Sequence, residues 1–448
     1  MKPVREGINL PEVSEKQSDV FIGRIALRRV TRRIIPFVFL MYITAWLDRV
    51  NVGFAALHMN ADLGFSASMF GFGSGIFFLG YCLLEVPSNL ILHRLGARLW
   101  LARIMVTWGV LSSAMMLVRT PLSFYTLRFL LGAAEAGFFP GVLYYLSHWY
   151  PQEHRARAIS AFMTAIPVTG LVGGPLSAAL LRLNGWHGLA GWQWLFLVEG
   201  VPAVLLGTIA FFYLSDRPED ARWLPPEERR WLVSALVTER NACQDAHRVT
   251  SRAALMHPTV WWLGTLFLLA VIGFYGYSMW SPLVIRSLTG GTDMQIGLIT
   301  AGISAVTILA MWGNSAHSDK ADERPLHVAI PLAIQAAGFL GCALLPTPLL
   351  RMLSLALVPL GHGAAYGPFW SMPTRFLSGE AAAGGLAVVA TIVSVGGFVG
   401  PLLIGLLKEH TGSYAPAFVV LSVAATISAI MAARLRRSQA LNARSPNS

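Results

Sequence analysis

Charge is what this sequence has least of. Asp, Glu, Lys and Arg make up 13% of its 448 residues, against 55% hydrophobic ones. Soluble domains carry about 25% charged residues, so a water-facing surface cannot be assembled from this composition. Cysteine is scarce too. Cys82, Cys243 and Cys342 are odd in number and far apart, and two sit in apolar runs. That pattern argues against a disulfide framework or a metal site and for small packing residues. There is no His-Glu-x-x-His, no Cys-x-x-Cys and no phosphate-binding Gly-x-x-x-x-Gly-Lys-Ser/Thr. Their absence speaks against an enzyme and against ATP-driven work. The first 33 residues are polar and basic and lack an apolar segment with a cleavage site, so no cleavable signal is expected.

What is present is a series of twelve apolar runs, each long enough to cross a bilayer. They lie near 34–57, 69–92, 99–118, 122–147, 158–181 and 192–214, then 259–282, 295–315, 327–346, 350–373, 383–407 and 413–434. The predicted class is an all-α membrane protein of twelve transmembrane helices in two six-helix pseudo-repeats. Its predicted parts are a basic tail (1–33), a first bundle (34–214), a polar linker (215–258) with a charged helical segment from Glu227 to Arg240, a second bundle (259–434) and a second tail (435–448). The linker is too short for a soluble signalling domain.

The net charge of +11 is read as topology, not as nucleic-acid affinity. With tails and linker on one side, only Arg119, Arg182, Arg286, Arg351 and Lys408 fall on the other. Excess Lys and Arg mark the cytoplasmic face, so both termini are expected in the cytoplasm. The halves also repeat. Gly170-x-x-x-Gly174-Pro175 recurs as Gly396-x-x-x-Gly400-Pro401, and Gly137-Phe-Phe-Pro140 is echoed by Ala365-Tyr-Gly-Pro368 at nearly the same offset. Small residues at this spacing let helices approach closely. Two repeats facing a midplane cavity suit alternating access.

Four of the charges inside the apolar runs of the first half carry the argument: Asp48, Arg49, Arg128 and Glu135. A charge at that depth is expensive and marks function or a buried partner. Arg128 and Glu135 are seven residues apart, nearly two turns, so both point from one helix face roughly 10 Å apart. Arg grips a carboxylate with two parallel hydrogen bonds and stays charged. A nearby acid can gain or lose a proton as its arginine is engaged or released. Moving an anion into a negative cell is uphill by about 2.3 kcal/mol per charge per 100 mV, which co-transported protons offset. A salt-bridge network that only holds helices together would use the same residues.

The chain resembles the major facilitator superfamily and, within it, the anion:cation symporter family, over essentially all twelve runs. The marks are Leu47-Asp48-Arg49-Val50-Asn51, Glu85-Val86-Pro87-Ser88-Asn89, Arg128-Phe129 through Glu135-Ala136-Gly137-Phe138-Phe139-Pro140-Gly141, Gly191-Trp192-Gln193-Trp194 through Glu199-Gly200, and Gly367-Pro368-Phe369-Trp370. It is similar to bacterial members that import tartrate, phthalate, hydroxyphenylacetate, nicotinate and related carboxylates. The resemblance implies the major facilitator fold in a bacterial inner membrane, with Arg49 on the substrate carboxylate, Arg128 paired with an acid, and Asp48 and Glu135 carrying protons.

The second half has no Lys or Arg at mid-membrane. One carboxylate would then be held strongly and the rest of the substrate by hydrogen bonds and aromatics. Tyr275, Trp370 and Ser371 are candidate pocket walls, and His362 could meet a second acid group. Where many relatives carry two Asn in the eleventh run, this chain has Ala390 and Ser394, which points away from a polyhydroxylated sugar acid and toward an aromatic or simpler carboxylate. Glu85, near the inner end of the second run, is a candidate gate residue. So are Arg94 and Arg98 in the loop after it, where the family's usual Asp is His93, and Asp319 and Arg324 in the later copy of that loop. The expected function is proton-coupled uptake of a small carboxylate, by a monomer without cofactor other than the coupling ion. Sodium coupling, uniport or exchange, and a non-transporting sensor are the alternatives.

Overall fold

The computed structural model describes residues 12–244, 258–372 and 379–444. Parts of the predicted tails and linker, 1–11, 245–257 and 445–448, lie outside the described residues. Among the described residues the regular structure is helical, and twelve segments are long and apolar enough to cross a membrane.

The first half runs α1 (Glu12–Leu63), α2 (Ala67–Leu95), α3 (Ala97–Ala114), α4 (Pro121–Glu135), α5 (Phe138–Ser147), α6 (Gln152–Met163), α7 (Ala165–Leu181) and α8 (Gly191–Tyr213). The charged linker segment folds as α9 (Pro226–Gln244). The second half runs α10 (Pro258–Thr289), α11 (Asp293–Ala321), α12 (Pro325–Leu344), α13 (Pro348–Ser371), α14 (Gly379–Thr411) and α15 (Ala415–Arg444). The side bearing α9 and the start of α1 is called the linker end, and the opposite side the distal end.

Two apolar runs are not single helices. The fourth breaks between α4 and α5, where Gly137 takes φ +85°, a left-handed conformation that glycine alone adopts without penalty. The break precedes Pro140, which then sits in the first turn of α5, where its missing N–H is no loss. Glu135 is thereby the last residue of α4. The fifth run breaks at Thr164, between α6 and α7. Pro167 explains the position: its ring clashes with the carbonyl four residues back, at Met163. The first helix is longer than its apolar run. It continues through the basic cluster to Glu12, so Arg28, Arg29, Arg32 and Arg33 are helical.

Packing relies on glycine. A Cβ on Gly132 of α4 would stand 1.9 Å from the Phe77 carbonyl oxygen of α2, and one on Gly80 would stand 2.2 Å from Phe129 O. Gly132→Val should therefore force α2 and α4 apart, at about 1–3 kcal/mol or more for an overpacked contact. A melting temperature in detergent equal to wild type would contradict this. The two halves meet in the same manner. A Cβ on Gly174 of α7 would lie 2.6 Å from Gly297 O of α11, and the reciprocal distance is also 2.6 Å. Gly71 and Gly405 bring α2 and α14 together likewise, at the distal end.

Candidate functional site

The buried charges converge where α1, α2, α3 and α4 cross. Glu135 is fully buried and lies 2.5 Å from Arg49 of α1. The Arg49 side chain retains 11% exposure. Aromatic rings surround its guanidinium: Trp46 and Tyr81 each at 5.3 Å and Phe77 at 5.8 Å. Rings at this distance attract the cation through their negative faces. Tyr275 of α10 lies close enough to Arg49 for electrostatic interaction, as does Tyr366 of α13, so both halves face this one cation.

Arg128 is buried to 1% exposure. Its Nη2 donates to the Ser74 carbonyl at 3.3 Å, and its guanidinium lies over the Phe77 ring at 4.9 Å. It makes no ion pair among the described residues, and Asp48 and Glu135 reach it only through their fields. Asp48 instead points into α3. Its carboxylate accepts from the Ser112 hydroxyl, from Trp108 Nε1 at 2.9 Å and from Asn51 Nδ2 at 3.3 Å. Three donors satisfy most of what burial takes from a carboxylate. The arginines are less well served. Arg49 Nε and Arg128 Nε and Nη1 are buried without a hydrogen-bond acceptor among the described residues. Such donors are costly to leave unpaired, and a carboxylate is the group that would pair them.

Glu199, outside the set of site residues expected from the sequence, is a further buried acid beside them. It is 4% exposed on α8, accepts from Ser177 Oγ at 3.0 Å, and lies near Asn51 and Asp48. Tyr42, Tyr81 and Tyr366 were missed as well. The signal for Tyr366 was available, since it lies in the Ala365-Tyr-Gly-Pro368 segment that echoes the fourth run.

The remaining candidates are dispersed. Tyr275 packs on Phe78 of α2 with ring centroids 4.4 Å apart. Ser394 of α14 donates to Ala390 O at 2.9 Å and faces Cys82 of α2. Trp370 sits in a second-half core cluster against Phe267 and Tyr366, and Ser371 donates to Pro368 O at 2.8 Å. His362 is 3% exposed and stacks on Phe274 at 4.2 Å, behind that ring. Phe274 itself lines a cavity of about 150 Å³ between the halves, with Trp46, Ser278, Ser304 and Thr307. Ser304 and Thr307 donate their hydroxyl protons to their own helix, to Thr300 O and Ile303 O. They therefore offer lone pairs to the cavity.

At the linker end three of the proposed gate residues, Arg98, Asp319 and Arg324, pair within one half. Arg98 binds Asp216 at the start of the linker at 3.6 Å, and Arg324 binds Asp319 at 2.5 Å. Arg94 is exposed without an ion pair among the described residues, and Glu85 is half-buried on α2. A set of polar bridges joins the halves at the distal end, and sequence reasoning did not single it out. His58 of α1 meets Asp293 of α11 at 2.9 Å, Asp293 also pairs with Arg286, and Arg286 donates to Leu57 O at 3.1 Å. Glu409 of α14 accepts from Ser66 Oγ and Ser68 N of the first half, each at 2.7 Å. Asp293→Asn should loosen this closure. A thiol introduced in the cavity by Ser278→Cys should then react several-fold faster with an impermeant maleimide added from the distal side. An unchanged rate would mean that the network is not a latch.

The sequence model described as Major Facilitator Superfamily matches residues 38–401. The chain is 47% identical over 414 residues to an Agrobacterium vitis protein provisionally named a tartrate transporter, covering 92% of this chain and 94% of that one. It is 40% identical over 397 residues to the quinolone resistance transporter of Acinetobacter baumannii, covering 89% and 92%. Its fold matches that of the E. coli xylose transporter XylE in its inward-open conformation, with a TM-score of 0.71 at 14% identity over 90% of this chain and 95% of that one. Fold, buried charge and relatives agree: this multi-pass membrane chain is a transporter, not an enzyme, and belongs to the major facilitator superfamily.

Proposed function

We propose that this protein is a monomeric, proton-coupled importer of a small carboxylate in a bacterial inner membrane, with both termini in the cytoplasm. The observation that carries the reading is Arg49. It is a partly exposed cation between the halves, and among the described residues its ion-pair partner is Glu135 and its Nε has no hydrogen-bond acceptor. A substrate carboxylate and Glu135 then compete for one guanidinium. When substrate takes Arg49, Glu135 loses its counter-charge and binds a proton, because an ionised carboxylate is costly in a dry site. On the cytoplasmic side the proton leaves, Glu135 returns to Arg49, and the substrate is expelled. With cytoplasmic termini, the distal closure corresponds to the inward-facing stage after release. Arg128 and Asp48, held by Ser74 and by Ser112 and Trp108, supply the surrounding field.

Within the carboxylates, a tartrate-like hydroxy acid is the reading favoured. Ser304 and Thr307 present acceptors to the cavity, and substrate hydroxyls are the matching donors. The relative named for tartrate points the same way. Ala390 and Ser394, in place of the two Asn of many relatives, favour an aromatic or simpler acid instead. Trp46 and Phe274 in the same cavity keep an aromatic acid as the second reading.

The test is uptake by proteoliposomes. Tartrate should accumulate when the lumen is alkaline, and a protonophore should reduce it to equilibration. Accumulation that survives the protonophore and requires sodium would replace the proton. Counterflow driven by phthalate or nicotinate but not by tartrate would establish the aromatic class.

A further inference from the structure

A second site lies at the linker end, outside the transport path just described. The stretch of α1 that precedes its apolar run carries Arg24, Arg28 and Arg32, one every fourth residue, and so on one helix face. With Arg157 of α6 they line a groove of about 590 Å³. All four are exposed, and none makes an ion pair among the described residues. Their neighbours are engaged: Arg29 with Glu228 at 3.2 Å, Arg155 with Glu239 at 2.7 Å, and Arg33 over the Tyr213 ring at 4.2 Å. Among the described residues Glu153 is the one carboxylate lining the groove, and His154 adds a further nitrogen base. Like charges at this spacing repel, and an anion bound among them would relieve that repulsion.

The walls are built. Trp231 of α9 closes one side, and Gly23 is what admits it, since a Cβ there would stand 2.3 Å from the indole. Tyr150 ties the opposite wall to α1 by donating to Thr31 Oγ at 3.1 Å. Leu27, Ala158 and Ala161 make the floor apolar. The height is that of a lipid headgroup. At ~1.5 Å per residue, Arg32 and Arg28 lie about 3 and 9 Å beyond the apolar run that begins at Ile34.

We propose that this groove binds the phosphodiester headgroup of an anionic phospholipid, with Arg24, Arg28, Arg32 and Arg157 on the phosphate and the apolar floor under the glycerol and first methylenes. Guanidinium matches phosphate through paired hydrogen bonds, and basic pockets beside membrane helices suit such headgroups. The apolar floor is what favours a lipid over a free phosphate compound.

The full-length protein in nonionic detergent is titrated with short-chain phosphatidylglycerol, phosphatidylcholine or glycerol 3-phosphate, and read by native mass spectrometry and melting temperature. Phosphatidylglycerol should be retained and raise the melting temperature, and the other two should not. Arg24→Gln/Arg28→Gln/Arg32→Gln should weaken phosphatidylglycerol binding at least tenfold. Arg217→Gln/Arg222→Gln/Arg230→Gln, which removes the same charge elsewhere at this end, should leave it unchanged. Arg157→Gln, on the other wall, gives the same reading by a single change if the triple variant folds poorly. Equal binding by the groove variants, equal loss in the control variant, or equal protection by glycerol 3-phosphate would each overturn the proposal.

Discussion

Glu135→Gln should abolish accumulation while sparing exchange. Proteoliposomes carrying this variant are expected to equilibrate substrate but not to concentrate it, whatever the pH gradient. Counterflow should stay within about threefold of wild type. The reason is local. Glu135 is fully buried, and Arg49 is its one ion-pair partner among the described residues. The amide copies the shape of the protonated acid, so Arg49 is permanently available to substrate and no proton moves with it. The variant loses a favourable ion pair as well, and removing one partner of a buried pair typically costs about 3–5 kcal/mol. A lowered melting temperature is therefore expected alongside. Accumulation at the wild-type level would show Glu135 to be structural and remove the proton carrier from the proposal.

Arg49→Lys should cost transport more than its conserved charge suggests. We expect the specificity constant for uptake to fall about 100-fold, equivalent to roughly 2.7 kcal/mol at 1.36 kcal/mol per decade. Lysine keeps a cation for Glu135, so folding should be nearly preserved. What it loses is the planar fork that serves two oxygens at once and the flat face that rests among Trp46, Phe77 and Tyr81. Arg128→Lys is the informative comparison. Arg128 is 1% exposed and donates to a backbone carbonyl, so its replacement should act mainly on stability and on the field at Asp48. If Arg128→Lys abolished substrate binding and Arg49→Lys left it intact, the roles of the two arginines would be exchanged.

Much of the fold could be read from the chain because a bilayer imposes a length. Runs such as 69–92 and 192–214 need little beyond counting apolar residues, and the structure places α2 and α8 over them. The interruptions were harder. In the fourth run the backbone turns at Gly137 and not at Pro140, because a left-handed residue breaks a helix and a first-turn proline does not. The break at Thr164 follows from Pro167 once the clash four residues back is considered. The distal closure left no mark in the sequence. Arg286 was visible only as an outer-side charge, and nothing local joins it to Leu57, 229 residues away.

The sequence by itself determined the class, the number of spans, the two-fold repeat and the identity of Asp48, Arg49, Arg128 and Glu135 as charges within the apolar runs, though it left Glu199 out of the site. Each of those is a local property, set by composition against a fixed apolar thickness. Only the tertiary structure decided the partners. It put Glu135 on Arg49, turned Asp48 away toward Ser112 and Trp108, and brought Tyr275 and Tyr366 from the other half to the same cation. The physical reason is that pairing across helices depends on their rotation and separation. Those are set by close contacts spread along the whole chain, such as Gly132 against Phe77 and Gly174 against Gly297, which no single stretch of sequence contains.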